Sequence, residues 1–252
     1  MKAFLLAAGH GTRLRPLTDS MPKCLVPIRG TPLLQIWLDL CARSGITEVL
    51  INLHSYAGEV KHFIAGYHSP VKVRIVQEDV LLGSAGTLLA NREWIGSDPA
   101  FWILYSDVLN NANLHAIAEF HAARQQIATL GLYRVPDPSR CGVAIVNEHG
   151  VIVDFEEKPH APRSNLAFSG LMVARPQLLD IIPQKIPADI GFDVLPRIVG
   201  KMSGYPVHDY LLDIGTIANY QAAQNTWPGF DSSLSASSKS PVNKVSALGE
   251  SA

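Results

Sequence analysis

Residues 2–8 form an almost wholly apolar run of strand length, and similar runs return at 48–53, 71–77, 101–105 and 128–135. Between the first two, Leu33, Leu34, Trp37, Leu38 and Cys41 fall on one face of a helix. Thr31 and Pro32 are placed as its N-cap and first residue, and Gly45 as its stop. Segments 57–65 and 113–125 read as further helices. This alternation predicts an α/β fold with a mostly parallel sheet covered on both faces, its ligand sites at the carboxyl ends of the strands. The second half reads as a hairpin, 141–146 and 151–157, around Asn147-Glu148-His149-Gly150. A strand at 165–174, helices at 175–182 and 191–201, and a last strand at 205–212 follow, with Pro196 expected to kink or break the second helix. From Gly229 the pattern stops, because eight of the 24 residues from there on are serine. Its few scattered apolar side chains cannot offset roughly 1 to 2 kcal/mol of backbone entropy per ordered residue. A folded domain over 1–228 and a disordered tail over 229–252 are therefore expected.

Composition narrows the class. The 252 residues are 47% hydrophobic and 17% charged, enough for one sizeable core or a core with a minor lobe. A formal net charge of -1 gives no global attraction for nucleic acid or an anionic membrane, so neither is expected as a partner. Cys24, Cys41 and Cys141 are odd in number and far apart, which fits reduced thiols better than a disulfide framework or a zinc site. The first apolar run is too short for a signal peptide, and none later approaches the ~20 apolar residues of a membrane span. The expectation is a soluble, unprocessed, cytoplasmic chain.

The loop after the first strand carries the candidate chemistry. Gly9 and Gly11 let the backbone turn with nothing projecting above it, leaving free amides that face outward. Thr12, Arg13, Arg15 and Lys23 follow, so two guanidiniums, an ammonium and backbone donors can converge on a polyphosphate. Leu14 stands where a dinucleotide fingerprint needs its third glycine, and no Gly-Lys-Ser/Thr follows as in a P-loop. An oxidoreductase would also need an acidic residue ending the second strand, where Asn52, Leu53 and His54 stand. Asp107 ends the apolar strand at 101–105, where a divalent metal can be held against phosphates. Glu78, before a glycine-containing loop, is a candidate reader of guanine's amino group, or else an exposed loop carboxylate.

The run Ala7 to Thr18, followed by Pro22-Lys23, resembles the signature of the sugar-1-phosphate nucleotidylyltransferases: Ala-Ala-Gly-x-Gly-Thr-Arg-Leu-x-Pro-x-Thr, then Pro-Lys. The likeness covers roughly residues 1–226. Leu82-Gly83-Ser84-Ala85-Gly86 is similar to the family's Leu-Gly-Thr-Ala-Gly segment over the base, and Glu157-Lys158-Pro159 to its Glu-Lys-Pro. Asp213-Ile214-Gly215-Thr216 matches its Asp-Ile-Gly-Thr. The chain departs from the pattern at Ser106, which replaces glycine, at Cys141, which replaces tyrosine, and at Leu211 and Leu212, where tryptophan and arginine are common.

The resemblance implies a Rossmann-like mixed sheet flanked by helices, with a small sugar-binding β-rich lobe. It assigns Ala7, Ala8, Gly9, Gly11, Thr12, Arg13, Lys23, Glu78, Gly83, Ser84 and Gly86 to the nucleotide. Gly142, Glu157, Lys158, Ser169 and Gly170 would receive the sugar phosphate, and Asp107 and Asp213 would hold magnesium. Arg13, Lys23, Asp107 and Asp213 would be the catalytic set, acting on a nucleoside triphosphate and a sugar 1-phosphate. The order of motifs is most similar to the mannose-1-phosphate guanylyltransferase group, with relatives acting on heptose phosphates. A uridylyl- or thymidylyltransferase on an amino-sugar or glucose phosphate, and a catalytically silent paralogue, stay open. A homodimer is compatible with such a chain.

Overall fold

The computed structural model describes residues 1–230, so the expected tail lies outside the described residues from position 231 onward. In chain order the first half forms β1 (Lys2–Leu6), β2 (Pro27–Ile28), β3 (Thr31–Pro32), α1 (Leu33–Arg43), β4 (Glu48–Leu53), α2 (Ala57–Gly66), β5 (Lys72–Gln77), α3 (Ser84–Ala90) and β6 (Phe101–Tyr105). The second half adds β7 (Val108–Asn110), α4 (Leu114–Ala122), β8 (Ala128–Arg134), β9 (Gly142–Val146) and β10 (Ile152–Glu157). β11 (Leu166–Ala174), β12 (Met202–Pro206), β13 (Leu211–Asp213) and α5 (Ile217–Thr226) complete it.

One nine-stranded sheet organises these elements, in the order β10-β9-β11-β6-β1-β4-β5, with β8 and β12 continuing from β11. β6, β1, β4 and β5 are parallel, while β11 runs antiparallel to β6 and opens the antiparallel half. Alternation along β1 decides the two faces. Ala3 and Leu5 pack with α1, α4 and α5, whereas Phe4 packs with Ala85 and Leu88 of α3 and with Leu178, Val194 and Ile198. Both faces are thus buried, as near-continuous apolar parallel strands require.

Several elements differ from expectation. Thr31 and Pro32 do not start α1; they pair with β2 across a two-residue turn in which Arg29 and Gly30 both have positive φ (48° and 87°). That pattern belongs to a type I′ turn, and the asparagine that usually signals it is absent. The expected helices at 175–182 and 191–201 form as a 3-10 segment, Pro176–Ile181, and a π-type turn, Ile190–Val194, followed by a 3-10 turn, Leu195–Ile198. Pro196 offers no N–H, so the second segment cannot continue as one α-helix. The single strand expected at 205–212 divides into β12 and β13, with Pro206 ending the first. Phe230, placed in the tail from sequence, packs edge-on against Trp227, with the Arg43 guanidinium 5.3 Å from its ring centroid.

Trp37, almost fully buried in α1, reaches under the end of β6 and donates from Nε1 to the Ser106 carbonyl at 3.1 Å. Trp37→Phe keeps most of the packing but strands that carbonyl, so unfolding free energy should fall by about 1 to 3 kcal/mol. Urea denaturation checks this, and a change below about 0.5 kcal/mol would show that the bond contributes nothing.

Candidate active site

Two clefts open at the carboxyl ends of the parallel strands, and Tyr105 and Asp107 line both. The larger, about 380 Å³, lies over β1, β4 and the loop before α3. Its floor is a hydrogen-bond network on Asn52, whose Oδ1 accepts from the Ala7 N–H at 2.8 Å. That bond ends β1 two residues sooner than expected. Asn52 Nδ2 donates to Glu78 Oε1 at 2.9 Å, and the backbone N–H of Leu82 donates to Glu78 Oε2 at 3.1 Å. Thr87 also donates to Oε1, so both oxygens of Glu78 hold the protein together. Glu78 is 5% exposed, a buried hub where an exposed loop carboxylate was the alternative. Asn52 was missed as a site residue; a polar side chain at the end of the apolar run Val49-Leu50-Ile51 was the available signal.

Ala7, Ala8, Gly9 and Gly83, which the resemblance assigns to the nucleotide, line this cleft. Gly9 has nothing within 4 Å of the position a Cβ would take, so its backbone is open to a ligand. At Gly83 (φ +80°) a Cβ would lie 2.3 Å from the Ala188 carbonyl, so only glycine fits there. Ser84 also lines the cleft, but its hydroxyl donates to Asp189 Oδ2 at 2.9 Å. Gly86 is not brought to the cleft: it is buried, and its N–H donates to Ala188 at 3.2 Å.

Gly11, Thr12 and Arg13 sit beyond the rim in a short 3-10 turn, Thr12–Leu14, anchored by the buried Leu14. Gly11 takes the left-handed conformation, and Thr18 Oγ1 donates to its carbonyl at 2.8 Å. Arg13 is exposed, yet its charge is felt by Asp213. Arg15 is turned away from the clefts, its guanidinium 3.1 Å from Asp19.

Lys23 occupies the junction of the clefts. Its ammonium lies 2.8 Å from Asp107 Oδ2 and 4.0 Å from Asp213 Oδ1. The ribbon of β7 and β13 brings the two carboxylates together, because Val108 pairs with Asp213 and the Ile214 N–H donates to the Asp107 carbonyl at 2.8 Å. Asp213 Oδ1 is shut off from solvent and has no hydrogen-bond partner among the described residues. Burial and then the nearby Asp107 push the Asp213 carboxyl above its ordinary value, opposed by Lys23 and Arg13.

The smaller cleft, about 230 Å³, brings together Gly142, Glu157, Lys158, Ser169 and Gly170, the residues that the resemblance assigns to the sugar phosphate, and is also lined by Asp213. A Cβ at Gly142 or at Gly191 would come within 2.5 Å of Glu157 Oε2, so two glycines clasp this carboxylate. Burial raises the Glu157 carboxyl above its usual range, while Lys158, 3.6 Å away, lowers it. Lys158 has φ +51° and lies 5.3 Å from the centroid of the exposed Phe192 ring. Ser169 and Gly170 sit where the β11–β8 register shifts, between Phe168 and Met172. Ser169 is 2% exposed, and its hydroxyl accepts from the Leu171 N–H at 3.3 Å. Arg140, Tyr133, Asp189 and Gly191 also line this cleft and were not picked out from sequence. Asp189 and Gly191 fall in a segment read as loop and helix, with no pattern to mark them.

Residues 2–228 match the family model described as nucleotidyl transferase. The chain belongs to that family. It is 32% identical over 243 residues to the UTP–glucose-1-phosphate uridylyltransferase of Synechocystis sp., covering 88% of this chain and 62% of that one. It is 31% identical over 227 residues to mannose-1-phosphate guanylyltransferase 1 of Arabidopsis thaliana, covering 87% and 63%. The chain therefore spans a little over three fifths of the length of these curated relatives. The crystal structure of HddC from Yersinia pseudotuberculosis complexed with GMP-PN superposes with a TM-score of 0.75 at 21% identity, over 90% of this chain and 99% of that one. This last likeness carries the fold.

As a nucleotidyl transferase family member, the chain gives its Asp-Ile-Gly-Thr run a physical account. A Cβ at Gly215 would lie 2.8 Å from Asp213 Oδ2, so glycine clears room for the carboxylate. Thr216 caps α5, its hydroxyl accepting from the Asn219 N–H at 3.2 Å, and Ile214 is fully buried. A carboxyl whose folded pKa is raised costs stability once pH exceeds its unfolded value, so removing the charge should help the metal-free fold at neutral pH. Asp213→Asn should raise the thermal midpoint by about 1 to 3 °C at pH 7.5, with the gain vanishing below about pH 4. A lowered midpoint in calorimetry at pH 7.5 would show that the Lys23 contact outweighs burial.

Proposed function

We propose that the chain transfers a nucleotidyl group from a nucleoside triphosphate to a sugar 1-phosphate, releasing pyrophosphate. The observation that carries this reading is the meeting of two clefts at Asp107, with Lys23 and Asp213 at the same junction. A phosphate monoester has a second pKa near 6, so the acceptor is mostly a dianion at pH 7 and already a nucleophile. No general base is required. The chain has to bring two anions within bonding distance, which is a matter of positioning and charge.

The residues divide that work. Open amides at Gly9 and the neighbouring turn receive the triphosphate, and Arg13, close enough to influence Asp213, meets charge passing to the departing pyrophosphate. Lys23 gives up part of its contact with Asp107 to bridge the phosphates. Lys158 holds the acceptor phosphate, and Glu157, fixed between Gly142 and Gly191, accepts from a sugar hydroxyl.

Magnesium fits the donor set. Asp107 and Asp213 supply two carboxylates with one orphaned buried oxygen, and no cluster of three or more ligating side chains occurs among the described residues. Magnesium is commonly held by one or two carboxylates together with water and substrate phosphates. When bound it would neutralise charge between the donor α-phosphate and the acceptor phosphate.

For substrates we favour GTP with a mannose- or heptose-like 1-phosphate, in line with the Arabidopsis relative's name and the order of motifs. The Synechocystis relative, named for UTP and glucose 1-phosphate and 32% identical where the Arabidopsis relative is 31%, supports a uridylyl reading as the alternative. Pyrophosphate release with magnesium, crossing five nucleoside triphosphates against mannose, heptose, glucose and N-acetylated sugar 1-phosphates, separates them. GTP with mannose or heptose should give the largest kcat/KM. A largest value with UTP or dTTP would transfer the assignment, and silence throughout, with nucleotide still bound, would favour a non-catalytic paralogue. Asp107→Asn should lower turnover by about a thousandfold while changing nucleotide affinity less than about fivefold. Wild-type turnover after that substitution would remove Asp107 from the reaction.

A further inference from the structure

The wall between the two clefts is built from two chain segments that meet face to face. The loop before α3 and the stretch from Ala188 to Ile190 exchange three backbone bonds: Ala188 N–H to Leu82 at 2.9 Å, and Ala85 and Gly86 N–H to Ala188 at 2.9 and 3.2 Å. These join the two segments through their backbones. One side-chain pair then crosses from cleft to cleft. Ser84, which lines the nucleotide cleft, donates to Asp189 Oδ2 at 2.9 Å and accepts from the Ile190 N–H at 2.8 Å. Asp189, which lines the acceptor cleft, accepts on Oδ1 from the Phe192 N–H at 3.0 Å. Tyr105 closes the wall from β6, lining both clefts beside Ser84 and Asp189.

We propose that the Ser84–Asp189 hydrogen bond couples the two substrates, with Ser84 acting as a positioning residue for the nucleotide loop and not as a contact to the base. The inference rests on the two-substrate reading above. Ser84 donates to Asp189 and accepts from the Ile190 N–H, and the Tyr105 hydroxyl is a further hydrogen-bonding neighbour, so protein groups hold the Ser84 hydroxyl. Asp189 keeps lone pairs toward the acceptor cleft, so a sugar hydroxyl that donates to it fixes the 188–190 segment on which Gly83 and Gly86 rest. Ordering that platform in advance lowers the cost of closing the loop on a nucleotide, so the first ligand tightens the second, and reciprocally.

The test uses the full chain with magnesium, mannose 1-phosphate and α,β-methylene GTP, an analogue that binds without transferring its nucleotidyl group. If the pyrophosphate assay selects another pair, its sugar phosphate and the matching methylene analogue are used. Calorimetric titration gives nucleotide affinity with and without saturating acceptor. In the wild type the acceptor should tighten nucleotide binding about fivefold or more. Ser84→Ala should cut that factor below about twofold, read as the ratio of affinities with and without acceptor, and Ser84→Thr should restore it. Asp189→Asn, which keeps the volume but cannot accept on Nδ2, should also lose the factor and serves if Ser84→Ala unfolds. A tenfold loss of nucleotide affinity in Ser84→Ala with the factor intact would make Ser84 a base contact and overturn the inference, as would a wild type without coupling. A wild type that binds no nucleotide would instead overturn the functional reading beneath it.

Discussion

An ammonium held between two carboxylates is the point on which three distant parts of this chain converge. Lys23 comes from the loop after β1, Asp107 from the end of β6, and Asp213 from the end of β13. None of these groups is well placed alone: two carboxylates side by side repel, and one of them has a buried oxygen with no hydrogen-bond partner. Lys23 makes the arrangement tolerable in the absence of substrate. Much of the surrounding architecture can be read as holding it in place, from the buried Cys24 beside Lys23 to the Trp37 bond beneath Ser106.

The short β7–β13 ribbon has an importance out of proportion to its length. Its antiparallel register places residue 213 opposite residue 108, and a one-residue slip would turn the Asp213 side chain to the opposite face. Leu211 and Leu212, which depart from the family's usual residues, pack against the apolar face shared with α1 and α5. Their substitution therefore trades polar reach for firmer seating of the strand that carries Asp213. The proposed reaction would need that carboxylate fixed more than it needs it stable, a trade of stability for function.

The sequence made the parallel half legible because its signals are local. β4 and β6 form at the residues where their apolar runs lie, and the first loop's glycines mark the ligand end of the sheet. The antiparallel half resisted reading because its conformation is set by contacts across the fold. Ile190–Val194 packs its apolar side chains as a helix would, yet it is a π-type turn followed at once by the 3-10 turn that holds Pro196, and Ser84, more than a hundred residues away, holds its Ile190 N–H. Likewise Asp189 and Gly191 are ordinary in sequence and become site residues only when that turn is laid against Glu157 and the loop before α3. Of the site residues read from motifs, those whose backbone faces the cleft were the easiest to place. Those named for their side chains, Ser84, Ser169 and Glu78 among them, are held by protein partners that no motif reveals.

Under the proposed function, the bonding of Glu78 bears on base selection. With Oε1 receiving Asn52 and Thr87, and Oε2 receiving the Leu82 N–H, the carboxylate has its strongest directions occupied by groups that define the cleft floor. The cleft presents Leu81 and Pro187 as apolar lining and Gly83 beside them, the surroundings a base would meet under the proposed function. Backbone donors and acceptors at fixed positions can distinguish the edges of bases, but the choice depends on where the loop carries them. Loop position is governed by Gly83, whose positive φ and contact with Ala188 admit no side chain, and by the Ser84 bond to the acceptor side. Under the proposed function, base selection would accordingly be a property of the loop's placement, which the two clefts share.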